Sequence, residues 1–140
     1  MALAVSLAII AFAAGFHAYW AVGGQGGLGV SLPQHQNGAP VMVRRLPLWR
    51  PAAGAVAAAL LVLAALLLAR AQLLGLPVSD ELIQGALLVV GLAFVARSLV
   101  PNRYVGFFKF LRTTRWAKFD TRLYSPLFLL LGILILKQAL

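Results

Sequence analysis

Polar and apolar positions do not alternate along this chain; they segregate into long blocks. Four apolar blocks, near residues 2–22, 52–74, 82–100 and 121–140, are each long enough to cross a bilayer of roughly 30 Å, which takes about 20 helical residues. The polar blocks between the first and second spans and between the third and fourth are long, and the one between the second and third is short. This pattern predicts an all-α integral membrane protein, a four-transmembrane-helix bundle forming one domain over residues 1–140, with two long loops at one end. No Lys or Arg precedes the first block, and its apolar run outlasts the roughly 7–15 residues of a typical leader core, so a retained span is expected.

Local signals sharpen the boundaries. Pro51 suits the first turn of the second span, where a missing N–H is no loss. Gly54 and Ala58 of that span stand in small-xxx-small spacing, which lets another helix approach closely. Ser79, Asp80 and Glu81 can cap the third span and complement the positive end of its dipole. Only fifteen residues remain from Pro126 onward, about 22 Å of helix, too short to span. The fourth helix is therefore expected to start near Asp120 or Thr121, with Asp120 as N-cap and Pro126 bending it.

Composition agrees with the pattern: 62% of residues are hydrophobic and 11% charged, far from the balance of soluble domains. The net charge of +9 lies in loops beside apolar runs, which reads as topology signal and lipid contact rather than as a nucleic-acid footprint. All Lys and Arg except Arg70 and Lys137 fall on the side of the two long loops, Arg44, Arg45 and Arg50 in the first and Arg97 to Arg122 around the second. The bias places those loops in the cytoplasm and both termini outside the cell membrane. The absence of cysteine excludes disulfide exchange, thiolate metal sites and covalent haem attachment. Two histidines are too few for a metal centre, so neither metal nor cofactor is expected.

The segment Gly24-Gln25-Gly26-Gly27-Leu28-Gly29 matches the dinucleotide fingerprint literally. That fingerprint works only between a strand and a helix of a βαβ unit. Here it follows a membrane span, so its glycines are expected to end the helix and turn the backbone along the membrane surface. The loop that follows, about 28 residues without periodicity, is long enough to act as a lid over the bundle or to be simply mobile.

Candidate chemistry gathers at the loop end. Ser6, Ala13, His17, Trp20 and Gly24 share one helical face, and an imidazole inside a span is a functional candidate by default. In "RYVGFFKFLRTTRWAKFDTRLYSP", Tyr104, Phe107, Phe108 and Leu111 share a helical face and suggest a short interfacial helix. Lys109, Arg112, Arg115 and Lys118 are candidate head-group contacts. Asp120 is the only acid on that side, with Tyr124 one turn on. His17, Trp20, Gly24, Arg97, Asp120 and Tyr124 could then line one ligand pocket, with Arg97 snorkelling or pairing with Asp120. Beside it stands a plain structural use: a neutral bonded histidine, an interfacial tryptophan, and Asp120 as a cap bridged to Arg115 or Arg122.

The strings "FHAYWAVGG" and "VGFFKFLRTTRWAKFDTRLYSPLFLLLG" resemble a family of small bacterial membrane proteins, domain of unknown function 3995. The resemblance runs through His17, Trp20, Gly23, Gly24, Asp120, Tyr124, Ser125 and Pro126, with Trp116 where phenylalanine would be expected. It implies a four-helix membrane protein of the bacterial inner membrane and supplies no activity. The expected function is binding of a lipid or lipophilic small molecule near the cytoplasmic leaflet. Alternatives are an enzyme acting on such a ligand, or an accessory subunit of a larger membrane complex; membrane lipids, a homo-oligomer or such a complex are the expected partners.

Overall fold

The structure is a computed structural model that describes residues 1–41 and 48–140. Arg44 and Arg45, counted above in the charge bias, lie outside the described residues. Four helices long and apolar enough to cross a membrane form the bundle: α1 (Ala2–Ala21), α3 (Trp49–Arg70), α4 (Asp80–Leu99), and a final one running over Arg115–Ala139. A single helical turn, α2 (Leu28–Ser31), sits in the first long loop. The final helix is composite, with α5 (Arg115–Phe119), a π turn (Asp120–Tyr124) and α6 (Ser125–Ala139) in continuous succession.

The helices pack chiefly as two pairs, α1 with α3 and α4 with α6. One apolar core joins the pairs, with Ile10 from α1, Leu63 and Leu67 from α3, Ile83 and Leu87 from α4, and Leu131 and Ile135 from α6. Small residues set the closest approach. A Cβ on Gly132 would stand 2.9 Å from the Gly91 carbonyl oxygen and 3.0 Å from the Val95 nitrogen. The α4–α6 crossing is thus backbone against backbone, the geometry that drives association where lipid is as apolar as the helices themselves. In the first half of α3 the buried small residues are Ala53 and Ala57, with Gly54 turned to Ala21 of α1 and Ala58 exposed. The small-residue seam is therefore one residue out of step with the Gly54/Ala58 pair predicted from spacing.

Caps explain the boundaries. Ser79 accepts from the Leu82 N–H (3.3 Å), as its position predicts. Pro51 falls in the first turn of α3. α1 ends in a Schellman motif: Gly23 N–H donates to Trp20 O (3.0 Å), Gly24 N–H to Tyr19 O (2.9 Å), and Gly23 takes the left-handed φ of +104° that glycine tolerates.

The start of the last helix departs from expectation. Its N-cap is Thr114, which accepts from Ala117 N–H at 3.1 Å, and not Asp120. The helix starts about one and a half turns earlier than expected and crosses the Asp120 region in a π turn, where Ser125 N–H reaches back to Asp120 O. An α-turn there would press the Pro126 ring on the Arg122 carbonyl; the widened turn relieves that clash without a break. At the opposite end of the bundle, Arg70 (3.4 Å) and Gln84 (2.8 Å) both donate to Ala139 O, and Gln138 donates to Ser6 Oγ (3.1 Å).

Candidate functional site

The segment between α4 and α5 is not the interfacial helix predicted from its aromatics. Asn102 Oδ1 accepts from the Tyr104 and Val105 N–H groups, both at 2.8 Å, while its amide donates to Val105 O at 2.8 Å. This side-chain turn outcompetes helix formation. It delivers Gly106, at φ +85°, against the end of α4, where a Cβ would stand 2.7 Å from Arg97 O. Phe107 N–H then donates to Ser98 O at 2.8 Å, sealing the contact.

At that contact lies Asp120, with no exposed surface. Oδ1 accepts from Arg97 Nη2 at 2.6 Å. Oδ2 accepts from Lys109 Nζ (2.9 Å), Gly106 N–H (2.9 Å) and Ser125 Oγ–H (3.0 Å). The Lys109 ammonium, equally buried, also donates to Gly106 O (2.8 Å) and Thr121 Oγ1 (2.7 Å). All three of its protons have acceptors. Ser98 Oγ bridges Phe94 O (3.0 Å) and Ser125 O (3.2 Å) beneath. Arg97 lies over the Phe128 ring, 4.1 Å from its centroid, with its side chain one-fifth exposed.

Of the two expected fates of Arg97, pairing with Asp120 is the one found. Arg115 and Arg122, the other proposed partners, are exposed, and the carboxylate bonds instead to Arg97 and Lys109. Lys109 is corrected from head-group contact to buried counter-ion, because its four-carbon stem folds back under the loop. Arg112, Arg115 and Lys118 are exposed.

The other predicted residues lie around the first loop. His17 Nδ1 bonds to Ala13 O of its own helix (2.8 Å), and the imidazole meets the Trp20 ring edge-on with centroids 5.0 Å apart. It makes no hydrogen bond to Asp120. Ser6 and Trp20 are buried as the helical face predicts, with Ala13 and His17 half-buried and Ile10 and Ala14 completing the inward side. Trp20 Nε1–H donates to Gly26 O (2.8 Å), and Gly24 packs on the Tyr19 ring.

The described part of the first loop is laid down on the final helix. The Tyr124 hydroxyl meets Ser31 Oγ at 3.3 Å, Trp116 N–H donates to Gln34 Oε1 at 3.2 Å, and His35 packs edge-on to Tyr104. Trp116 stacks on Tyr124, with centroids 5.3 Å apart, and donates to Tyr104 O at 2.8 Å. Tyr124 and Trp20 thus both bind the first loop, one through Ser31 and the other through Gly26. The glycine string follows a helix and precedes the single turn of α2, with no strand among the described residues.

Sequence reasoning missed Lys109, Gly106, Ser98 and Thr121 as parts of the Asp120 cluster. A lone acid among cations signalled that pairing, but no periodicity connects residues across an irregular loop.

Two depressions stand out on the surface. One, an open apolar groove of about 480 Å³, runs along α1 past Ala11, Phe12, Gly15, Phe16, Tyr19 and Gly26. The other is a smaller hollow within the first loop, beside Leu28, Leu32 and Gln34.

No curated protein and no solved structure matches this chain. A family model does match, over residues 9–135, and this span takes in α3 and α4, most of α1 and α6, the Asp120 cluster and the docked loop: the chain belongs to the family described as protein of unknown function, DUF3995.

Proposed function

We propose that this multi-pass membrane protein binds a lipophilic molecule at the loop end of its bundle, along the outer face of α1. The observation that carries the reading is the open apolar groove along α1, a shallow surface on which an elongated apolar molecule can lie. Exposed Phe12, Phe16 and Tyr19 wall it, and at its loop end the Tyr19 hydroxyl accepts from Gly26 N–H at 3.3 Å. An acyl or polyprenyl chain fits such a wall, with its polar end at the loop. Trp20 packs on Phe16 (centroids 5.7 Å apart) and Gly24 on the Tyr19 ring, which supports two walls of the groove, while the Asp120 cluster holds the neighbouring loop in place. Binding is favoured over turnover because both Asp120 oxygens are already occupied by donors, leaving no carboxylate at the groove for acid or base work.

The test is mass spectrometry of what stays bound after gentle purification in lipid discs, wild type against Gly15→Phe. A Cβ at Gly15 meets nothing within 4 Å, so the new ring enters the groove and disturbs no packing. A discrete lipophile held by wild type and lost by the variant supports the reading. Bulk lipid alone in both overturns it.

A further inference from the structure

The composite final helix carries three distinct faces at the loop end. Trp116, Ala117 and Asp120 are buried against the bundle, with Tyr124 half-buried beside them. Arg115, Lys118 and Arg122, at spacings of three and four, are exposed along one stripe. Phe119 and Leu123, 44% and 39% exposed, form a second stripe directly beside the cations. The neighbouring loop extends both characters, with Phe108 and Phe110 exposed at 54% and 75%. There too Arg112 is exposed, its Nε donating to Lys109 O at 3.0 Å. Asp120, the one acid at this end, is buried and bonded to two other cations, so it neutralises none of these.

We infer that the Arg115–Lys118–Arg122 stripe and the Phe119–Leu123 stripe together seat anionic phospholipid, phosphate on the cations and acyl chain along the apolar residues. A soluble acidic partner would leave the phenylalanine and leucine side chains in water, whereas a lipid satisfies both stripes at once. Charge complementarity sets the class of lipid: a zwitterionic head group offers the stripe no net charge, and an anionic one gains about fivefold in affinity per nearby Lys or Arg. The rigidity comes from beneath, where the Asp120 cluster fixes the turn of helix that carries the stripe. This inference is independent of the α1 groove, which contains none of these residues.

The experiment uses the full chain in vesicles of mixed phosphatidylcholine and phosphatidylglycerol, with one or the other brominated to quench tryptophan. Trp116 lies on the same helix as the stripe, and Trp20 and Trp49 are at the same end. The quenching ratio gives the relative association constant of the two lipids. Wild type should favour phosphatidylglycerol at least tenfold at low salt, falling as salt rises. The Arg115→Gln, Lys118→Gln, Arg122→Gln triple variant should fall to a ratio near one, and Lys118→Gln alone should lose about fivefold. Lys137→Gln, exposed at the opposite end, should change nothing. The single variant keeps the test intact if the triple one fails to fold. A wild-type ratio near one, an unchanged ratio in both stripe variants, or binding of a single-stranded RNA through these residues without lipid preference would overturn the inference. Loss of the ratio with the groove-bound lipophile retained, or the reverse, separates this proposal from the preceding one.

Discussion

Asp120→Asn is the substitution that most directly tests the account of the loop end. In the native state one buried carboxylate faces two cations, Arg97 at 2.6 Å and Lys109 at 2.9 Å, and accepts two further hydrogen bonds from Gly106 and Ser125. The amide retains the shape and one acceptor oxygen but removes the charge, and its NH2 group faces donors. Arg97, one-fifth exposed and lying on Phe128, can relax toward the surface, so its share is discounted. Lys109 cannot, because its ammonium is fully buried among Gly106, Thr121 and Asp120. Stranding one buried charge costs about 3–5 kcal/mol, and that is the expected loss.

Lys109→Met should cost less, about 1–3 kcal/mol, since Asp120 keeps Arg97, Gly106 and Ser125. In the double variant the two losses should fall short of their sum by about 1–3 kcal/mol, as expected for residues that share one network. Equilibrium unfolding in mixed micelles under a denaturing-detergent titration, followed by helical circular dichroism and tryptophan fluorescence, measures all three. A loss under about 1 kcal/mol for Asp120→Asn, or strict additivity in the double variant, refutes the reasoning.

Three further outcomes follow from the geometry. Gly132→Ala places a Cβ 2.9 Å from Gly91 O and 3.0 Å from Val95 N, both backbone, so it should destabilise by about 1–3 kcal/mol in the same titration. Gly106→Ala combines a left-handed φ of +85° with a 2.7 Å contact to Arg97 O; it should cost about 1–3 kcal/mol and raise proteolysis between α4 and α5. Because the chain has no cysteine, single-cysteine variants report topology cleanly: in intact cells a membrane-impermeant maleimide should label Gly75→Cys and spare Asn37→Cys, and the reverse result inverts the orientation expected from the charge bias.

The parts of this fold legible in the sequence are those fixed by local physics. Apolar block length gave four helices, Ser79 gave a cap, and the glycines of the Gly24–Gly29 string gave a helix stop, which falls one residue earlier with Gly23 in the left-handed position. What escaped was set by contacts between segments distant in sequence. Tyr104, Phe107, Phe108 and Leu111 fit a helical face, yet Asn102 and Gly106 hold the chain in a turn whose donors are satisfied by Ser98 and Asp120. Asp120 fits a helix start by residue type, but its oxygens are taken by Gly106, Lys109, Arg97 and Ser125, and Thr114 takes the capping role. For Lys109 the sequence carries no sign of burial, because a loop lysine beside aromatics reads as a surface cation until a buried acid is found within its reach.

The two ends of the bundle solve the same problem by different means, and the difference bears on where function sits. At the far end the last carbonyl of α6 is satisfied by Arg70 and Gln84, donors reaching from α3 and α4. Those bonds tie the ends of α3, α4 and α6 together through one neutral carbonyl, with no buried carboxylate. At the loop end a buried ion cluster is retained, although a well-packed apolar cluster of similar size is often as stable. Its members come from α4, the following loop and the π turn. Pinning three segments to one carboxylate fixes the turn that presents Arg115, Lys118 and Arg122 outward, and sets Tyr124 and Trp116 where Ser31 and Gln34 of the first loop dock. The cost in stability is thus confined to the end where loop, groove and cation stripe converge. If the cluster were there for stability alone, a Lys109→Met, Asp120→Asn, Arg97→Leu triple replacement would leave the phosphatidylglycerol preference intact; if it positions the stripe, that preference falls while the helices remain folded.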